Sequence, residues 1–203
     1  MISEYTAFPA YGNIIGIDES GRGPIAGPVV AAAVILPKGL VISALNDCKK
    51  LSARKREALY EEIKLNAIDH SWAEVDVQEI DQINILQATL LAMRKAIEKL
   101  TVKGDFYLVD GKQLPFTPSN TSISGEAIVK GDQIFNCIAA ASIVAKVVRD
   151  EIMVYYDKLY PEYDFLHNKG YPTKKHTAIV KRIGICPIHR RSFMPIKIIQ
   201  DSC

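Results

Sequence analysis

The sequence predicts an α/β domain, and three observations carry the prediction. Three apolar runs, residues 14–19, 106–111 and 126–132, each end in an acid beside or near a glycine, as buried strands with polar ends do. Stretches of helical periodicity separate and follow them. The longest comes after residue 132, is rich in alanine, and meets no glycine or proline before Pro161. Finally, no repeat, low-complexity segment or linker divides the 203 residues. One domain over residues 1–203 is expected, with a basic helical and loop extension at about residues 161–203 packed on it.

Residues 12–37 organise the chain. Ile14, Ile15 and Ile17 read as a buried strand. Residues 20–28 hold three glycines and two prolines, too many breakers for a helix, and residues 29–36 make a second apolar strand. The acids Asp18 and Glu19 thus stand where a strand meets a polar elbow. On their own they fit best a hairpin whose acids face solvent; the Gly-Arg-Gly-Pro that follows and the acids downstream reverse that preference in favour of a site.

Past a turn at Pro37-Lys38-Gly39, Ser52 is a natural N-cap for a helix with Leu59 and Ile63 on its apolar stripe. Lys49 and Lys50 stand just before that N-terminus, where an anion is favoured, or they are loop solubilisers. Residues 71–77 alternate like a short exposed strand. A helix ending near Leu100 follows, with Ile83, Leu86, Leu90, Met93 and Ile97 as the expected buried face. Lys103-Gly104-Asp105 turns the chain into the strand that ends at Asp110, and the next strand runs to Asp132. In the long helix beyond, Lys146, Arg149 and Asp150 fall on the more polar positions. Residues 167–173 form a loop, and Thr173 opens a helix that ends near Gly184.

Composition excludes several classes. A 48% hydrophobic content supports a real core and rules out a disordered chain. No basic segment leads into an apolar one at the start, and the longest apolar run, residues 29–36, is too short to span a bilayer, so a cytoplasmic protein without membrane attachment is expected. Cys48, Cys137, Cys186 and Cys203 include no C-x-x-C pair, which argues against zinc and against a disulfide framework. Net charge is only +2, yet from Phe165 onward eight basic residues face one acid, a footprint suited to a polyanion.

The acids and that basic region are complementary halves of a phosphodiesterase site. Neighbouring strands lie ~5 Å apart, so Asp18, Glu19, Asp110 and Asp132 can share one oxygen-rich pocket. Carboxylates that close do not all stay ionised without cations between them, and oxygen-only donors select Mg²⁺ or Mn²⁺. Two such ions per site would suit in-line attack of water on a phosphodiester. In Gly21-Arg22-Gly23 the glycines let the main chain approach a ribose 2′-hydroxyl, and Arg22 suits a phosphate. Neither a P-loop nor G-x-G-x-x-G is present, the latter being broken at Ala26. Tyr171, in a basic loop, either stacks on a base or sugar or is a packed surface tyrosine.

With these residues in view, GIDESGRGPIAGPVVAAAVIL, LNDCKKLS, YLVDGK, VKGD, AASIVAKVVRD, NKGYPT and HRRSF together resemble the successive signatures of bacterial ribonuclease HII. They stand in the family's order and cover nearly the whole chain. The resemblance implies an RNase H-like fold, a mixed five-stranded sheet flanked by helices with a small C-terminal helical region. It implies metal-dependent cleavage of RNA in RNA/DNA hybrids and 5′ of single ribonucleotides in duplex DNA, leaving 3′-hydroxyl and 5′-phosphate ends. By the same resemblance Asp18, Glu19, Asp110 and Asp132 match the catalytic, metal-binding acids. Gly21, Arg22 and Gly23 match the loop that senses the 2′-hydroxyl, and Tyr171 the tyrosine that stacks at the RNA-to-DNA junction. Lys49, Lys50 and Lys146 fall in motifs near the nucleic acid. Ser20 and Cys48 depart from the usual alanine or valine and serine, and neither removes a ligand. The related ribonuclease HIII is disfavoured, its usual loop not being Gly-Arg-Gly and its extra N-terminal domain not being seen. A monomer is expected, and no protein partner is legible. The rival readings are an inactive hybrid binder and a DNA-cutting two-metal nuclease; the acids oppose the first, because a mere binder gains nothing from negative charge facing phosphates.

Overall fold

The computed structural model describes residues 3–40, 42, 45, 51–116 and 124–201. Lys49, Lys50, Cys48 and Cys203 lie outside the described residues. A short helix α1 (Glu4–Ala7) precedes strand β1 (Ile14–Ser20), which is followed by β2 (Val29–Ile35), α2 (Ala53–Asn66), β3 (Asp69–Val75), α3 (Val77–Glu98), β4 (Phe106–Asp110) and β5 (Ser124–Ile128). The long helix α4 (Asn136–Leu159) comes next, then α5 (Phe165–Asn168), α6 (Lys174–Ile183) and α7 (Ile196–Asp201). The strands form one sheet in the order β3-β2-β1-β4-β5. Pairing is antiparallel among β3, β2 and β1, and parallel among β1, β4 and β5. The mixed five-stranded sheet flanked by helices that the resemblance implied is therefore present.

Local chemistry explains the elements. Ser52 caps α2 by accepting the Lys55 N–H, and Thr173 caps α6 by accepting from His176; each cap is worth about 1 kcal/mol. Every residue of β2 is buried, and alternation divides them between two layers. Val30, Ala32 and Val34 pack with α4 and α2, whereas Val29, Ala31, Ala33 and Ile35 pack with α3. The alanines let helices approach closely on both sides. Gly16 serves the same purpose in β1: a Cβ there would stand 2.2 Å from the carbonyl carbon of Cys137, so the first turn of α4 lies directly against the strand. A third core joins Ile25 and Ala26, in the loop after β1, to Met153 of α4 and to Phe165, Val180, Ile188 and Ile196 from the last part of the chain.

Four expectations need correction. The face that α3 buries most deeply is Ile80, Ala88, Ala92, Met93 and Ala96, while Ile83, Leu86, Leu90 and Ile97 are only partly covered. The reason is a break at Asn84, whose φ of 67° and ψ of 164° lie outside the helix; its Oδ1 accepts the N–H groups of Leu86 and Gln87, restarting the helix with a shifted face. The strand near residue 71 is Asp69–Val75 and is half buried, covered by α3. Asp132 does not end a strand: β5 stops at Ile128, and Asp132 lies in a 3₁₀ turn, Gly131–Gln133. Arg149 is on no polar face, being 0% exposed. Cys137 and Cys186 are buried free thiols. Among the described residues, no helix is long and apolar enough to cross a membrane.

Candidate active site

The sheet brings the acids together through its register. In the parallel pair β1/β4, Ile17 stands opposite Val109, so Asp18 and Asp110 follow side by side at the ends of adjacent strands. Alternation turns both toward the α4 face. Asp18 is 6% exposed; it accepts the Glu19 N–H at 2.6 Å and a bond from the Ser142 hydroxyl on α4. Asp110 accepts the Gly131 N–H at 2.7 Å, which draws the 3₁₀ turn carrying Asp132 against the end of β4. Glu19 points to the opposite face, and the Arg22 guanidinium stands 3.2 Å from it. The solvent-facing reading of the Asp-Glu pair thus fails for Asp18, which the first turns of α4 cover.

These carboxylates repel. Burial, then Glu19, then Asp110 hold the Asp18 carboxyl well above the usual carboxylate range, against the bonds from Glu19 N–H and Ser142. Burial also raises Glu19, and Arg22 offsets part of the rise. An all-oxygen donor set carrying more negative charge than its surroundings tolerate fits a hard divalent cation. As placed, no three His, Cys, Asp or Glu side chains among the described residues converge on one point. The fit is one of donor chemistry and location, not of a preformed ring.

Two adjoining depressions lie at the acids. Asp110 and Asp132, with Leu86, Leu90 and Met93 of α3, line a cleft of about 540 Å³. Gly21, Gly23, Lys146 and Tyr171 line a groove of about 440 Å³. Glu19 and Arg22 belong to both. The structure therefore gathers Glu19, Asp110, Asp132, Gly21, Arg22, Gly23, Lys146 and Tyr171 around two adjoining depressions, with Asp18 buried beside them. Tyr171 is 43% exposed and presents its ring to the groove. Lys146 is held by Asp150 at 2.6 Å.

Three arginines to which the sequence assigns no role at the site also belong here. Arg56 of α2 lines the same groove as Lys146, 3.9 Å from Asp150. Arg149 and Arg190 are both fully buried and hold the loop after β1 from below. Arg149 donates to the carbonyls of Pro28 (3.0 Å), Ala26 (3.1 Å) and Lys169 (3.0 Å). Arg190 donates to those of Gly27 (2.9 Å), Arg22 (3.1 Å) and Gly21 (2.6 Å). Arg190 therefore cannot contribute to the basic surface in which its charge was counted. A signal for Arg149 existed: it lies four residues from both Ala145 and Met153, inside the apolar stripe of α4. For Arg190, in a loop, periodicity offers none. The neighbouring Arg191 and Ser192 N–H groups bind Asp81 of α3 at 2.9 and 3.0 Å, tying the tail to the far layer.

A mixed sheet of this order, with acids at the ends of its two central parallel strands and helices on both faces, defines a nuclease of the RNase H-like class. The family model described as Ribonuclease HII matches residues 15–196. A ribonuclease HII of Endomicrobium trichonymphae is 54% identical over 183 residues, covering 90% of this chain and 86% of that one. One of Coxiella burnetii is 49% identical over 197 residues, covering 97% and 96%. The crystal structure of ribonuclease H2 from Pyrococcus horikoshii superposes with a TM-score of 0.78 at 25% identity, covering 94% of this chain and 98% of that one. The chain belongs to the ribonuclease HII family, hydrolases that cleave the RNA strand of RNA/DNA hybrids. Dependence on a divalent metal is typical of that family.

Proposed function

We propose that this enzyme, besides cutting RNA in hybrids, incises duplex DNA 5′ of a single embedded ribonucleotide by a two-metal route, leaving 3′-hydroxyl and 5′-phosphate ends. The supporting observation is that the acid cleft and the Gly-Arg-Gly groove adjoin, sharing Glu19 and Arg22 as lining residues. A phosphodiester at the acids would have its neighbouring ribose at the loop.

Asp18, Glu19, Asp110 and Asp132 are the residues that would hold the ions, Mg²⁺ or Mn²⁺. When bound, two such ions supply a nucleophilic water and charge stabilisation at the departing 3′ oxygen. Gly21, Arg22 and Gly23 bring main-chain polar groups to the 2′-hydroxyl, the feature that separates RNA from DNA. Tyr171 offers a face for stacking at the junction between ribo- and deoxyribonucleotide. Lys146 neutralises backbone phosphate, and we assign Lys49 and Lys50 the same task. Residues 161–203 belong to one catalytic domain with the rest, since Tyr171 lines the groove and Arg190 supports its loop.

A DNA duplex carrying one ribonucleotide, incubated with the enzyme and Mg²⁺ or Mn²⁺, tests the reading. Incision 5′ of the ribonucleotide with an uncut all-DNA control is expected, and Asp110→Asn should lower turnover by about 10³-fold or more while keeping the wild-type circular dichroism spectrum. Cutting of the control would instead indicate a DNA nuclease, and binding without cutting an inactive binder.

A further inference from the structure

The Gly21–Gly23 loop is held by two buried cations, and the way they hold it decides which of its groups face the groove. Each guanidinium spends its donors on main-chain carbonyls, three for Arg149 and three for Arg190. Among the described residues neither lies within salt-bridge distance of a carboxylate. Burial lowers Arg149 to about 10, and burial together with the Arg149 charge lowers Arg190 to about 9, so both remain cations at neutral pH. Keeping two like charges buried without a directly paired carboxylate is costly, and six oriented carbonyl dipoles, with the more distant charges of Asp150 and Asp81, offset it. The loop in turn cannot relax away from them. Gly21 has a φ of 100°, and a Cβ there would lie 2.1 Å from the Arg149 Nε.

We infer that Arg190, with Arg149 behind it, is a positioning residue for ribose discrimination: it turns the Arg22 and Gly23 amide N–H groups toward the 2′-hydroxyl. This deepens the proposed function and rests on it. The argument is one of peptide geometry. In a trans peptide the C=O of one residue and the N–H of the next point in opposite directions. Arg190 fixes the carbonyls of Gly21 and Arg22 inward, at 2.6 and 3.1 Å, so the N–H groups of Arg22 and Gly23 point away from it. That side is the groove whose wall includes Gly21, Arg22, Gly23 and Tyr171.

The remaining backbone bonds of the loop brace the same arrangement. Ile25 N–H donates to Gly170 O and Gly27 N–H to Ile188 O, both at 2.8 Å, and Arg190 N–H returns to Ile25 O at 2.8 Å. The loop is thus set before substrate arrives, and two preset donors select a ribose by the acceptor that deoxyribose lacks. A lysine at either position keeps the charge but has no planar fork, so it cannot hold three carbonyls in fixed directions.

The test compares wild type, Arg190→Lys and Arg149→Lys on two duplexes of one sequence, all-DNA and with a single ribonucleotide. Incision gives kcat/KM, and binding in Ca²⁺ gives the ratio of the two dissociation constants. We expect each lysine variant to lose roughly tenfold or more in kcat/KM on the ribonucleotide duplex, the loss of about one charge-assisted hydrogen bond. Affinity for all-DNA should change by less than about twofold, so the ratio collapses toward unity. A merely structural role would weaken both duplexes together, and an unchanged ratio in folded variants overturns the inference. Failure of the wild type to incise the ribonucleotide duplex would instead overturn the proposed function, and this inference with it. Should the lysine variants not fold, hydrogen exchange in the free wild type decides. Ile25 and Gly27 amides as slow as those of β1 support a preset loop, and amides exchanging like unstructured chain overturn it.

Discussion

Asp18 shows how a reactive position is maintained against stability. It is buried at the end of a central strand and pressed by two other carboxylates, and burial is the largest cause of its raised pKa. A group whose folded pKa is raised above its unfolded value weakens the fold at pH values above both. Asp18→Asn removes that repulsion while keeping the bonds from Glu19 N–H and Ser142 within reach. The variant should therefore melt at a higher temperature than wild type in metal-free buffer at pH 7. Mg²⁺ or Mn²⁺ should raise the melting temperature of wild type, because a ligand of the native state alone stabilises it, and should raise that of the variant less. Scanning calorimetry with and without metal checks both statements, and a variant melting below metal-free wild type would contradict the first. Arg190 is the opposite case, since its charge is satisfied by carbonyls from a loop 169 positions away.

Among the elements, β1 and α4 carry the site. The alternation of β1 sends Asp18 toward α4 and Glu19 toward α3, and α4 answers with Ser142 at the acids, Lys146 at the groove and Arg149 under the loop. Positions 142, 146 and 149 lie one helical turn apart and so share one face. Their placement depends on how closely α4 meets β1, which Gly16 sets. Gly16→Ala would put a Cβ into the Cys137 backbone, where no side chain can rotate aside. A loss of about 3 kcal/mol is expected, on the order of 10 °C in melting temperature. Its signature is a fall in kcat as well as in stability, measurable at a temperature where the variant is still fully folded. α3 teaches a different lesson: its stripe of large residues suggested one straight helix, but the Asn84 break turns Leu86 and Leu90 toward the acid cleft and leaves the alanines to pack on the sheet. Sequence periodicity assumes a continuous helix and misreads the face once the helix restarts.

Across the molecule, the residues from Phe165 to Ile196 pack against Ile25 and Ala26 in the loop after β1. A neutral histidine pair joins them to the groove. The His176 Nδ1 meets the carbonyl of Tyr171 at 2.9 Å, its Nε2 meets the His189 Nε2 at 3.1 Å, and the His189 Nδ1 accepts the Cys186 N–H at 3.0 Å. These partners require His176 to donate from Nδ1 and His189 from Nε2. Burial, and for His189 the neighbouring His176, lower both pKa values, His189 to about 4. Between about pH 6.5 and 4 the unfolded chain binds protons that the folded chain refuses, so this contribution is complete above that window and is lost as pH falls through it. For His189 alone the change from 6.5 to about 4 corresponds to about 3 kcal/mol. The raised carboxyls of Asp18 and Glu19 act in the opposite direction. Comparing melting curves of wild type and His189→Asn from pH 7 to pH 5 isolates the histidine contribution: the variant should lose less stability on acidification, and parallel curves would exclude it.

The order of the strands and of the longer helices, the caps at Ser52 and Thr173, the acids and the Gly-Arg-Gly elbow were legible along the chain, because period, capping chemistry and breakers act over a few residues, whereas the short helices α1, α5 and α7 are too brief to show a period. The register that sets Asp18 beside Asp110, the 3₁₀ turn that carries Asp132, and the burial of Arg149 and Arg190 were decided only by the tertiary structure. A buried guanidinium is tolerable only where carbonyls from distant segments converge on it, and no local pattern of residues records where those carbonyls will come from.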